Sequence, residues 1–151
     1  MTQEEKQLLL KDLCARLSYG VKVVYLATTY SVQYIDVKFD EVKLDGIPHI
    51  VSINQIKPYL RPISTMTSNE LDELIKRLNH TSAGRIINKE NFQIMPVLNV
   101  VWFTNMKEYE CVNTRMMSIV IDFLNEYHFD YNDLISMDMA IEAPKDMYKI
   151  D

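Results

Sequence analysis

Few residues in this chain combine a reactive type with a spacing that chemistry needs. The three histidines, His49, His80 and His128, are far apart, and none has a partner at the i, i+4 spacing that puts two metal ligands on one helix face. His128 and Asp130 stand close together, flanked by Glu126 and Asp133. A carboxylate–imidazole cluster of that kind suits a divalent ion or a proton relay. The same string also reads as the end of one helix followed by a new N-cap, and that plainer reading is favoured. Cys14 and Cys111 fall in segments read as helical, among apolar neighbours, which suits buried thiols better than nucleophiles or a disulfide. There is no Gly-x-Ser-x-Gly turn, and three glycines cannot build a phosphate-cradling loop or a dinucleotide fingerprint. No catalytic residue, metal site or cofactor is expected.

The best surface candidate is Lys57-Pro58-Tyr59-Leu60-Arg61-Pro62. Two prolines four apart hold the backbone extended, so Lys57, Tyr59 and Arg61 alternate toward one side. An arginine beside a tyrosine suits a carboxylate or phosphate. The bland alternative packs Tyr59 over a sheet and leaves both cations solvated. Met116, Met117, Met137, Met139 and Met147 read either as core fillers, which helical spacing favours, or as an adaptable groove. The candidate binding residues are therefore Lys57, Tyr59, Arg61, His128 and Asp130.

The elements that must position these groups are legible from periodicity. Thr2 and Glu5 have capping-box spacing, and Leu9, Leu10, Leu13 and Leu17 follow at helical period, predicting a helix over 3–17 that turns at Gly20. From Val21 to Ile53 the period drops to two, with dense β-branched and aromatic residues. Asp45-Gly46 reads as a two-residue hairpin turn, and Pro48 makes the last strand an edge. Thr67 and Glu70 form a second capping box, predicting a helix over 68–79. Residues 82–87 suggest a short helix and Val97 to Phe103 a buried strand. A longer helix is expected over 110–127. Asp130 can cap a last short helix through Leu134 and Ile135. The tail from Ala140 reads as a docked irregular segment.

The resulting expectation is one globular α+β domain over 1–151. Its centre is a small antiparallel meander of three to four strands, packed with an N-terminal helix and two or more C-terminal helices. The 151 residues suffice for one core. The acidic start is not a signal peptide, and the longest apolar run is about half the roughly 20 residues a membrane helix needs. The net charge of −5 is uneven, with +2 over 54–91 and −6 over 105–151. An acidic chain is a poor binder of duplex nucleic acid, since phosphates call for clustered Lys and Arg.

Three pieces carry a resemblance: LLLKDLCARLSYGV (8–21), IKPYLRPISTMT (56–67), and FLNEYHFDYNDLI…AIEAPKDMYK (123–149). Together they resemble short uncharacterised proteins that recur in gut Bacteroidales genomes, prophages and phages. The resemblance implies a cytoplasmic setting and carries no activity or functional residues across. The function read from the sequence is a non-catalytic accessory or protein-interaction protein, with another protein as its candidate partner. Its rivals are a phage inhibitor that blocks a host system through the acidic C-terminal surface, and a small enzyme or ligand binder around His128, Asp130 and Arg61. A further rival binds single-stranded nucleic acid on Tyr25, Tyr34 and Arg61. The partner's identity and the oligomeric state are not encoded in any motif.

Overall fold

Helix α1 (Gln3–Arg16) begins at the predicted capping box: the Thr2 hydroxyl accepts from the Glu5 amide, and the Glu5 carboxylate accepts from the Thr2 amide. A single 3-10 turn, Leu17–Tyr19, follows. Gly20 ends it in the left-handed region at φ +72°, where a side chain would be strained. The computed structural model describes residues 1–80, 87–89, 92–95, 100–105, 108–111 and 114–148. The expected helix over 82–87 lies almost wholly outside the described residues.

The α+β class holds, but the sheet is larger than a meander of three or four strands. Strands β1 (Lys22–Tyr25), β2 (Thr28–Asp36), β3 (Glu41–Leu44) and β4 (Ile50–Ser52) do form an antiparallel meander. The extended Lys57–Pro62 segment joins it as β5, antiparallel to β1. Two short strands, β9 (Phe129–Asp130) and β10 (Ile141–Glu142), then pair with β5 in parallel, so the sheet is mixed. β4 is an edge strand, as expected, although Pro48 lies before it rather than within it. A separate antiparallel sheet holds β6 (Phe92–Met95), β7 (Val100–Asn105) and β8 (Glu108–Cys111).

Two local readings are corrected. The two-residue turn between strands is Leu26-Ala27, not Asp45-Gly46. Leu26 (φ 48°) and Ala27 (φ 61°) both occupy the left-handed region, with Tyr25 and Thr28 paired across them. Strand pairing imposes this geometry on residues that resist it, at roughly 1–2 kcal/mol each. Gly46 does turn at φ +73°, but residues 45–49 separate β3 from β4, because Pro48 cannot enter the ladder and β4 starts only at Ile50. The C-terminal helix, α3, spans Thr114–Glu126. Glu110 and Cys111, expected to open it, lie in β8 instead.

Helix α2 (Ser68–Asn79) starts at the predicted Thr67–Glu70 box. Two apolar clusters result. One packs Leu9, Leu10 and Leu13 of α1 on Val23, Val42, Leu44, Val51 and Leu60 of the sheet. The other joins Leu74 and Leu78 of α2 to Val120, Phe123 and Leu124 of α3 and to Phe129. Each cluster buries its helices' apolar stripe. Met116 belongs to the second and Met139 to the first, while Met137 is exposed, so the methionines form no shared groove. Cys14 is exposed on the outer side of α1, contrary to the expectation of a buried thiol. Among the described residues no helix is long and apolar enough to cross a membrane.

Candidate functional site

Between the two clusters lies a seam of buried polar groups. Arg16 is fully buried and binds Asp12, one turn earlier, through two bonds of 2.8 and 2.9 Å. Its remaining donors reach the Leu124 carbonyl (3.3 Å) and the Phe129 carbonyl (2.8 Å). The Asn132 amide donates to Asp12 Oδ1 at 2.9 Å. The Tyr131 ring lies 5.1 Å from the guanidinium, and its hydroxyl donates to Asn125. Asp12 thus holds α1 to the turn after β9, and Arg16 ties α1 to α3 and β9. Such a pair must be completely satisfied, because a desolvated ion costs several kcal/mol when left unpaired.

Sequence reasoning missed both residues, though a signal exists. Leu9, Asp12, Leu13 and Arg16 occupy i, i+3, i+4 and i+7, so a charged pair sits in the register of the buried stripe.

His128 and Asp130 border this seam, and each is engaged structurally. His128 adopts φ 57° and buries its ring, with Nε2 3.0 Å from the Tyr19 carbonyl. That oxygen only accepts, so in the neutral ring Nε2 carries the hydrogen and Nδ1 is a bare acceptor. Nδ1 is buried with no hydrogen-bond partner among the described residues. Burial, and then the Arg16 cation, lower the ring's pKa to about 4, so it is neutral near pH 7. Asp130 accepts from the Leu134 and Ile135 amides at 2.9 and 2.8 Å. The predicted cap is therefore present, although it closes a turn rather than a helix. Burial raises the Asp130 pKa, and the two amide bonds oppose that rise. Among the described residues no nucleophile hydrogen-bonds to His128, and no three His, Cys, Asp or Glu side chains gather to hold a metal ion.

Lys57, Tyr59 and Arg61 do share one side of β5, as their alternation predicts, while Pro58 and Leu60 face inward. They do not form an open anion site. Lys57 pairs with Asp138. The Tyr59 hydroxyl is 3.4 Å from that of Thr29. Arg61 binds Glu70 through both nitrogens, at 2.7 and 3.1 Å, and its guanidinium lies 4.4 Å from the centre of the Phe129 ring. Burial alone would raise the Glu70 carboxyl, but the Arg61 and Thr67 hydrogen bonds outweigh it and hold the pKa below normal. The Arg61 amide donates to the His128 carbonyl at 2.8 Å, so the structure brings Arg61, His128 and Asp130 to adjoining positions along β5 and β9. Lys57 lies at the other end of β5. Tyr25 is buried and Tyr34 is exposed, so no aromatic platform forms with Arg61.

Several large apolar side chains are also exposed. Leu26 (79% exposed), Phe39 (62%) and Val37 (52%) stand at hairpin tips. A shallow cleft of about 500 Å³ lies between α1 and the β2–β3 turn, lined by Gln7, Leu8, Leu10, Lys11, Cys14 and Val37. No protein-family model, curated protein or solved structure matches the chain.

Proposed function

We propose that the protein is a non-catalytic accessory protein that acts by binding another protein, in the bacterial or phage cytoplasm its sequence resemblance implies. One observation carries the reading. The polar groups that offered chemistry are engaged within the fold: Lys57 by Asp138, Arg61 by Glu70, His128 by Tyr19, and Asp130 by two amides. At the hairpin tips the apolar side chains of Leu26, Val37 and Phe39 stand in solvent, with the exposed Lys38 over the Phe39 ring. Exposed apolar side chains beside an apolar cleft suit protein contact better than a polar ligand.

The rival readings have less support. In the +2 segment, Lys57, Arg61, Lys76, Arg77 and Lys89 are each ion-paired, which weakens the case for phosphate binding. The acidic surface is smaller than its tally of residues, since Asp130 is buried and Glu126 and Asp138 are paired.

The test is affinity capture from lysate of a gut Bacteroidales host, comparing the wild type with Val37→Asp and Phe39→Asp. A protein retained by the wild type and lost from both variants, with unchanged melting temperatures, supports the reading. Capture indifferent to both substitutions, or sub-micromolar binding of duplex DNA at physiological salt, overturns it.

A further inference from the structure

The chain crosses over β5 near its end. The Ala143 amide donates to the Leu60 carbonyl at 2.7 Å. Five residues later the Tyr148 hydroxyl donates to the Tyr59 carbonyl at 3.1 Å and accepts from the Lys22 amide at 2.9 Å. Successive residues of a strand point their backbone groups to opposite edges. Leu60 and Tyr59 therefore serve different edges of β5, and residues 143–148 span it like a strap.

On the Tyr59 edge, three different groups meet β5 in turn. β1 pairs at Lys57, the Tyr148 hydroxyl takes the Tyr59 carbonyl, and the His128 carbonyl takes the Arg61 amide. The β1–β5 ladder has only two residue pairs, and the phenol stands where a next rung would be. Within the strap, the Met147 amide donates to the Pro144 carbonyl at 3.0 Å, and Pro144, Lys145 and Asp146 are exposed.

The Tyr148 ring also stacks on His128, with centroids 3.7 Å apart and planes 18° from parallel. His128 Nδ1 is buried and has no hydrogen-bond partner among the described residues. A proton there would create a donor with nothing to receive it. The charged groups facing the ring are Arg16 and Asp12 from α1 and Arg61 from β5. Both arginines oppose the added charge, and Asp12 is already bound to Arg16 and Asn132. Tyr148 offers only its ring face. Lifting the strap would let water reach Nδ1.

We propose that residues 143–148 are an acid-released latch: a proton taken from solvent by His128 Nδ1 drives Tyr148 out from between β1 and β5, leaving the Lys22 amide and the Tyr59 carbonyl as open strand edge. The depressed pKa of His128 agrees in direction, since an opened, hydrated ring would titrate nearer its ordinary value.

Hydrogen exchange read by mass spectrometry between about pH 7.5 and about pH 4.5, corrected for intrinsic rates, tests this in the range where histidine titrates. Peptides covering 141–148 and 20–25 should lose protection on acidification by up to about tenfold per pH unit, the limit for one linked proton, while β2 and β3 stay protected. Tyr148→Phe keeps the stack and removes both hydroxyl bonds, so its opening midpoint should move toward neutral pH. His128→Asn removes the titration at a left-handed position asparagine tolerates, and should flatten the pH response. The latch is overturned if His128 titrates while the strap stays protected. It is equally overturned if the strap opens only in step with β2 and β3, or if Tyr148→Phe leaves the midpoint unchanged.

Discussion

Arg16 and Arg61 meet the same residue from two directions, and their surroundings could hardly differ more. Arg16 donates to the Phe129 carbonyl from a fully buried position, while Arg61 lies over the Phe129 ring with 17% of its side chain exposed. Each grips a carboxylate through two hydrogen bonds. The Arg16–Asp12 pair has given up water, so its worth depends on every donor being matched. The Arg61–Glu70 pair keeps some solvent, and Glu70 also completes the α2 cap through the Thr67 amide. The seam fixes how α1 meets α3 and β9, whereas the partly exposed Arg61 rim fastens β5 to the start of α2 and to the Phe129 ring.

Breaking the seam should have the largest effect. Asp12→Ala strands a buried guanidinium and should cost about 3–5 kcal/mol, read as a lowered urea midpoint. The double variant Asp12→Leu with Arg16→Met should recover much of that loss, because two apolar side chains leave no ion unpaired. A double variant as unstable as the single one would show that the seam works through geometry rather than charge.

Acid should separate the two regions next. His128 has a folded pKa of about 4 against an ordinary 6.5. Below pH 6.5 the unfolded chain therefore binds more protons, and stability falls as pH drops through 6.5 toward 4. The loss is at most about 3 kcal/mol. Glu70, held below its usual pKa, adds a loss of the same sign at lower pH. Asp130, raised by burial, has the opposite sign and offsets part of it. Denaturation midpoints across pH should therefore decline less in His128→Asn than in the wild type.

At the rim, Arg61→Ala should cost about 1–2 kcal/mol, combining a charge-assisted pair with the contact on Phe129. Arg61→Lys should restore only part of it, since an ammonium cannot bind Glu70 as a fork. A loss as large as that of Asp12→Ala would erase the distinction between rim and seam. The smallest effect is expected for Thr67→Ala, about 1 kcal/mol from the lost cap, measured by the same denaturation.

Local signals in the sequence determined what local physics controls. Both capping boxes, α2 over 68–79, the one-sided face of Lys57, Tyr59 and Arg61, and the Asp130 cap follow from contacts within a few residues of one another. Tertiary structure alone decided the rest. β9 and β10 are two residues long, and their pairing with β5 comes from chain brought back across more than sixty intervening positions. The exposed Leu26-Ala27 turn follows from the twist its strands impose, against the preference of both residues. Asp12 and Arg16 have the i, i+4 spacing of an ordinary surface pair, and only their register with Leu9 and Leu13 hints at burial. They are buried because α3 and β9 close over them, and only that closure turns a solvated pair into the seam between two cores.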